Sequence, residues 1–233
     1  MNPTEDWWAT PKRRLSEIPK IITLDNKIDY FCERINGWKI DIADHLINGK
    51  IIQIENGFFQ MPGEPQADYA TLDIILSYFE MIAKYSDGYV GEESAEYFKK
   101  GIRMVFPNAS QIEEKELKSL LDDLLSILYG GARCGAYHAG FPDSNILLAH
   151  GETEPIVFHA NRRVTINPQK LVLEIRKHFN DYIKQLKDTK NTTLRKNFER
   201  RFDMDTSTGK KRYQKTSQKD IRFSNVHSAE TIS

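Results

Sequence analysis

Apolar residues recur at steps of three and four positions through most of the chain, the spacing that places them on one face of an α-helix. Residues 67–86 show this spacing most clearly, through Leu72, Ile75, Leu76, Phe79 and Ile82. The same spacing predicts helices over residues 26–47, from 92 or 94 to 105, 110–128 and 168–187. Because the loops between them are short, the natural packing is an antiparallel bundle.

Two short stretches interrupt the helical spacing. Residues 50–55 are typical of a short strand, and residues 56–65, with two Pro and two Gly, are typical of a loop. Residues 155–166 alternate around a turn at 161–163, which predicts a small β-hairpin. The predicted fold is therefore mainly α: an antiparallel helical bundle with an N-terminal helical extension and a small β-hairpin.

The composition divides the chain into three parts. Residues 1–55 form an N-terminal arm and extension, and residues 56–189 form the bundle, with the hairpin near 155–167. Residues 190–233 lose the apolar periodicity and predict a basic, flexible tail.

The net charge is zero but unevenly distributed. Residues 184–223 hold 13 Lys or Arg against 5 Asp or Glu, whereas the first 183 residues are acidic overall. A basic tail attracts nucleic acid or an acidic partner, or is simply solvated. The candidate nucleic-acid-binding residues in it are Arg200, Arg201, Lys210, Lys211 and Arg212.

The remaining composition excludes several classes. No run of about 18 apolar residues predicts a membrane span, and the N-terminus lacks the apolar segment of a secretory signal. Two cysteines, Cys32 and Cys134, then indicate a reducing, cytoplasmic location. No CxxC or HExxH pattern occurs, so we expect no metal site and no cofactor.

The helix over residues 110–128 leads into a glycine-rich segment that also carries Arg133, Tyr137 and His138. Each glycine costs a helix interior about 1 kcal/mol relative to alanine, so this cluster indicates a turn or a close approach of backbone or phosphate. Arg133 and Tyr137 share a helical face, whereas Arg133 and His138 lie roughly 140° apart unless the helix loosens between them.

The order Leu128-Tyr129, Arg133, four residues, His138 and then Gly140 resembles the end of the motif helix in the HEPN superfamily, specifically its Apea-like branch. The resemblance covers residues 112–141 best and residues 67–187 more loosely. Cys134 departs from the family pattern, which often has Asn, Asp or His directly after the Arg.

This resemblance implies a metal-independent endoribonuclease of the defence or toxin type that acts on RNA as a homodimer. Arg133 would steady the phosphorane, His138 would exchange protons with the 2′-OH or the leaving oxygen, and Tyr137 would orient them. A planar guanidinium suits phosphate oxygens, and imidazole suits proton transfer. An antitoxin or another protein partner is also an expectation of this class.

Two alternatives stay open on the residues alone. Arg133 could pair with Asp122, Asp123 or Asp143 at the helix end, and His138 could cap backbone groups in the turn. The chain would then be either a non-catalytic HEPN bundle that binds a nucleotide, nucleic acid or partner protein, with the Arg/His segment at a dimer interface, or a dimeric structural or regulatory module in which that segment only builds the interface. Catalysis requires Arg133 and His138 to be accessible in one cleft.

Overall fold

The computed structural model describes residues 8–19, 22–54, 57–110, 115–135 and 142–215. In this part of the chain, six helical stretches with small hairpins and a small mixed sheet confirm the predicted mainly α class. None of these helices is long and apolar enough to cross a membrane. The α-helices are α1 (Leu24–Ile35), α2 (Asp41–Asn48), α3 (Asp68–Asp87), α4 (Ala95–Val105), α5 (Lys115–Ile127), α6 (Pro168–Lys187) and α7 (Thr192–Lys215). The first of the six stretches contains two of the α-helices, α1 and α2, joined without a break.

Two π-helical segments interrupt the α-helical geometry. Asn36–Ile40 joins α1 to α2 in one continuous stretch, and Leu128–Cys134 continues α5. A π turn holds an extra residue, so side chains after it lie on a different face from the one that the preceding spacing predicts. Such turns occur often at functional sites.

The strands form three small sheets. β1 (Trp8–Thr10) pairs with β2 (Arg13–Arg14), and β3 (Lys50–Ile54) pairs with β4 (Gly57–Met61). In the third sheet, β7 (Val164–Ile166) lies between β5 (Ile146–Leu148) and β6 (Ile156–Phe158), antiparallel to β6 and parallel to β5. The hairpin predicted over residues 155–166 is therefore confirmed.

The loop predicted over residues 56–65 is wrong for Gly57–Met61, which forms β4. Of the two Gly and two Pro that suggested a loop, Gly57 begins the strand, whereas Pro62, Gly63 and Pro65 come after it and mark its end. The strand predicted over residues 50–55 is found as β3, and β4 is its antiparallel partner.

α3 is the centre of the core. It packs against α2, α4, α6 and α7, and Leu72, Phe79 and Ile82 on it are fully buried. α4 crosses it at Gly101, where a Cβ would overlap the backbone carbonyl of Phe79. Only glycine allows the two backbones to approach so closely.

The first π turn changes which residues of the N-terminal helix are buried. The spacing Ile28, Phe31, Ile35 predicts Trp38 and Ile42 as the next inward positions, but both are exposed. The extra residue of the turn moves Ile40 and Ala43 into the core instead, as expected for a shift of register within one helix.

α7 extends the core into the region predicted to be a flexible tail. Residues from Thr192 to Lys215 are helical, and Phe198 and Phe202 lie in the hydrophobic core. Phe198 packs its ring against Phe31 at a centroid distance of 5.3 Å. Because so much aromatic area is buried, this helix belongs to the packed body.

The packing of α7 predicts that Phe198→Ala lowers the free energy of unfolding by about 3–5 kcal/mol, since it leaves a cavity in the core. Urea denaturation followed by circular dichroism measures the change. The exposed Lys196→Ala on the same helix is the control and changes the free energy by less than about 0.5 kcal/mol. Equal stabilities of the two variants would contradict a core role for α7.

Candidate functional site: a basic cleft beside α3

One face of α3, a helix that is mostly buried after its first turns, carries a polar stripe that begins at the exposed Asp73. Asp73, Ser77, Glu80 and Lys84 follow one another at steps of four, three and four, which aligns them along the helix. Ser77 and Glu80 are partly buried, and Lys84 is buried. Buried polar groups require partners, so this stripe determines what packs beside it.

The two π segments each place a cation beside this stripe. Lys39 belongs to the first segment and Arg133 to the second. Both side chains line a cleft of about 220 Å³ together with Asp73, Leu76 and Ser77 of α3. Residues distant in sequence, at positions 39, 77 and 133, therefore form one site.

Arg133 is held by the packing of its own segment. Leu128, Gly131 and Ala132 are buried, so the segment is anchored in the core on one side. The amide of Asp143 donates a hydrogen bond of 2.9 Å to the carbonyl of Gly131. A Cβ at Gly131 would lie 3.1 Å from Cβ of Asp143, so the glycine allows this close approach.

Lys39 is bound to the stripe through Ser77. Its Nζ donates a hydrogen bond of 2.8 Å to Oγ of Ser77, and that hydroxyl donates in turn to the carbonyl of Ile74 at 3.2 Å. Burial lowers the pKa of Lys39, and the positive charge of Arg133 lowers it further. The two cations are thus close enough to repel each other, an arrangement that an anion between them would relieve.

The carboxyl group in the cleft is less easily ionised than usual. Burial raises the pKa of Asp73 above its ordinary value. Lys39 and Arg133 line the cleft together with this one carboxyl group, so the lining carries more cations than acids and favours a negatively charged ligand.

The guanidinium of Arg133 also contacts an acid at the far end of the stripe. Its Nη2 lies 3.7 Å from Oε2 of Glu80, and the Arg133 side chain is 25% exposed. Glu80 also accepts hydrogen bonds from Lys84 at 2.8 Å and Ser94 at 2.5 Å. Burial acts to raise the pKa of Glu80, but these hydrogen bonds outweigh it and the pKa is lowered.

Two of the three acids named from the sequence as alternative partners of Arg133 have other cationic partners. Asp122 pairs with Arg103, and Asp123 lies 3.7 Å from Arg162. Glu80, which the sequence did not indicate, is an acid that lies beside Arg133. The sequence led to the expectation that Arg133 contacts an acid, but it did not indicate Glu80, which is distant from Arg133 in sequence.

The other predicted site residues divide into three groups. Tyr137 and His138 lie outside the described residues. Arg200 is exposed on α7, whereas Arg201 pairs with Asp205 at 2.9 Å and donates to the carbonyl of Tyr89. Three further candidates, Lys210, Lys211 and Arg212, lie in the final turns of α7, and only their backbone is described.

The sequence did not single out Lys39, Ser77 or Asp73. The stripe at positions 73, 77, 80 and 84 was a visible signal, because polar residues at helical spacing inside an apolar helix require partners. Lys39 had no comparable signal, since its position beside α3 results from the π turn.

Among the described residues, no group of three or more His, Cys, Asp or Glu side chains is arranged to hold a metal ion. His150, which stands near Glu152 in sequence, instead lies with its Nε2 3.0 Å from a carboxyl oxygen of Asp68. His159 contacts the hydroxyl of Thr165 at 2.8 Å.

Comparison of the chain with protein-family models, with curated proteins and with solved structures finds no match in any of the three. The family resemblance therefore rests on the motif residues around Arg133 and His138 alone.

The geometry predicts that Arg133→Met raises the pKa of Lys39, because it removes the neighbouring positive charge. The pKa stays below the ordinary lysine value, since burial is the larger cause. An NMR pH titration of the Lys39 side chain measures the shift. Arg103→Met, an ion-paired arginine outside the cleft, is the control, and an equal effect of both variants would contradict direct coupling.

Proposed function

We propose that this protein is an HEPN-like, metal-independent endoribonuclease whose cleft at Lys39, Ser77 and Arg133 binds the scissile phosphate of RNA. One observation carries the proposal: the Arg of the Arg-x4-His motif lines a partly open cleft with a second cation. An arginine that served only to close a helix end would not require Lys39 beside it.

The residue types in the cleft suit a phosphodiester. The planar guanidinium of Arg133 can bond two phosphate oxygens at once, and Lys39 adds a compact positive charge. The hydroxyl of Ser77 already accepts a hydrogen bond from Lys39 and so holds the ammonium in position at 2.8 Å. A bound phosphate would separate the two cations and stabilise both.

The proposed reaction needs no protein nucleophile, because RNA supplies its own. His138 takes the proton from the 2′-OH as that oxygen attacks phosphorus, and the bond to the 5′-oxygen breaks. The leaving oxygen takes a proton from water, and a 2′,3′-cyclic phosphate remains on the other fragment. Arg133 and Lys39 neutralise the charge that develops on the phosphorane, and Tyr137 orients the reacting groups.

A second candidate function is supported by the contact between Arg133 and Glu80. Glu80 has a lowered pKa and is ionised at neutral pH, so it partly neutralises the guanidinium. A cleft with one partly neutralised cation suits binding of a nucleotide or nucleic acid without cleavage. The two functions share a site and differ in whether His138 acts on the bound phosphate.

The first test is RNA cleavage in the presence of EDTA. We expect cleavage by the wild type and a loss of at least about 100-fold in Arg133→Ala and in His138→Ala, the usual loss for a phosphate-stabilising or proton-transfer group. Arg103→Ala, which breaks an ion pair elsewhere, is the control and retains activity. Absence of cleavage with retained RNA binding would support the second candidate, and equal cleavage by all variants would exclude both.

The second test measures RNA binding as a function of salt. If Lys39 contacts a phosphate, Lys39→Ala weakens binding and reduces the slope of log K against log salt by about 0.7, the value for one phosphate contact on a single strand. Lys196→Ala, an exposed lysine on α7, is the control. An unchanged slope in Lys39→Ala would place the phosphate elsewhere.

A further inference from the structure

The β3–β4 hairpin exposes an unusual amount of apolar surface. Five of its large apolar side chains are about half exposed or more: Ile51, Ile54, Phe58, Phe59 and Met61. Other exposed apolar residues in the described chain occur singly or in pairs on an element. The hairpin is therefore the largest concentration of uncovered apolar side chains in this part of the molecule.

Both faces of the hairpin are uncovered. Phe58 and Phe59 are neighbours on β4, so their side chains lie on opposite faces. Phe58 is 74% exposed and Phe59 is 54% exposed. Phe59 stands opposite Ile52, and Phe58 stands opposite Gln53. Neither face is packed on the helical body as the inner face of a core sheet would be.

The base of the hairpin is fixed to α2, although its strands are uncovered. Gly49 has φ of 75°, and a Cβ there would overlap the carbonyl of Met61. A Cβ at Gly63 would overlap the carbonyl of Ile47, and the amide of Glu64 donates to Leu46 at 2.7 Å. The hairpin thus projects from a defined point in a defined direction, which reduces the entropy lost when a partner binds.

We propose that the β3–β4 hairpin is a dimerisation arm that packs against a second copy of this chain. At about 200 Å² for each large side chain, the five exposed residues leave roughly 600 Å² of apolar surface per copy. A stable interface buries about 800 Å² per partner, of which about 60% is apolar. The arm therefore supplies the apolar area that a stable dimer needs when the second copy covers both of its faces.

Symmetry and charge favour a second copy over a different protein. β3 and β4 form a two-stranded sheet in the described chain, so each strand has an unpaired outer edge. In a dimer with two-fold symmetry, such an edge can pair with the same edge of the second copy. Lys50, at the base, is the only charged residue within β3 and β4 as described. Two such arms do not repel each other, and they offer no charge pattern for selecting a different partner.

This dimer does not depend on the proposed ribonuclease function. Analytical ultracentrifugation of the full chain tests it without RNA. We expect a dimer for the wild type and a dissociation constant at least about tenfold higher for Phe58→Ser and for Phe59→Ser, because each change acts twice in a symmetric dimer. Leu173→Ser, on α6 and 48% exposed, is the matched control and changes the constant less than about twofold.

Circular dichroism confirms that the variants remain folded, as expected for exposed positions. A wild type that is monomeric up to roughly 0.1 mM would overturn the proposal, as would a dimer that neither phenylalanine variant weakens. Flotation with phosphatidylglycerol vesicles distinguishes a second copy of the chain from a lipid surface as the binding partner of the arm. A monomer that binds vesicles through Phe58 and Phe59 would assign the arm to a lipid surface instead.

Discussion

The constraint on which the structure depends is the burial of α3 on nearly all sides. Helices α2, α4, α6 and α7 surround it, and the close crossing at Gly101 leaves no room for a side chain between α3 and α4. A helix so deeply buried can carry polar residues only where partners reach them. The stripe from Asp73 to Lys84 is that place, and the candidate site lies along it.

The two π segments supply those partners. Each one inserts an extra residue into a helix beside α3, and each one carries a cation to the stripe, Lys39 from one side and Arg133 from the other. The cost of a π turn is a poorer hydrogen-bond pattern, so its presence at both cations is consistent with a functional role. Glu80 limits the positive charge by contacting Arg133, while Lys39 stays close to Ser77.

Much of the fold could be predicted from the spacing of apolar residues, whereas the candidate site could be predicted only in part. The spacing located the helices, and the alternation around Arg162 located the β6–β7 hairpin. It placed Trp38 and Ile42 in the core wrongly, because a π turn has no signature in a periodic pattern. It also assigned the residues of α7 to a basic tail, because their many charged side chains obscured the buried Phe198 and Phe202. Arg133 was identified from a local motif, but Lys39, Ser77 and Glu80 join it through long-range packing that spacing does not encode.

In the proposed ribonuclease reaction, the oxygen that attacks the phosphorus belongs to the RNA. This feature distinguishes cleavage from RNA binding alone. The most direct measurement identifies the chemical ends that the wild-type protein produces when it cleaves an RNA of defined sequence. The same assay is then run on that RNA with 2′-deoxyribose at the cleaved position. We expect 2′,3′-cyclic phosphate and 5′-hydroxyl ends from the all-ribose RNA, and no cleavage of the deoxy-substituted strand. Ends with 5′-phosphate, or equal cleavage of both strands, would contradict the proposed reaction.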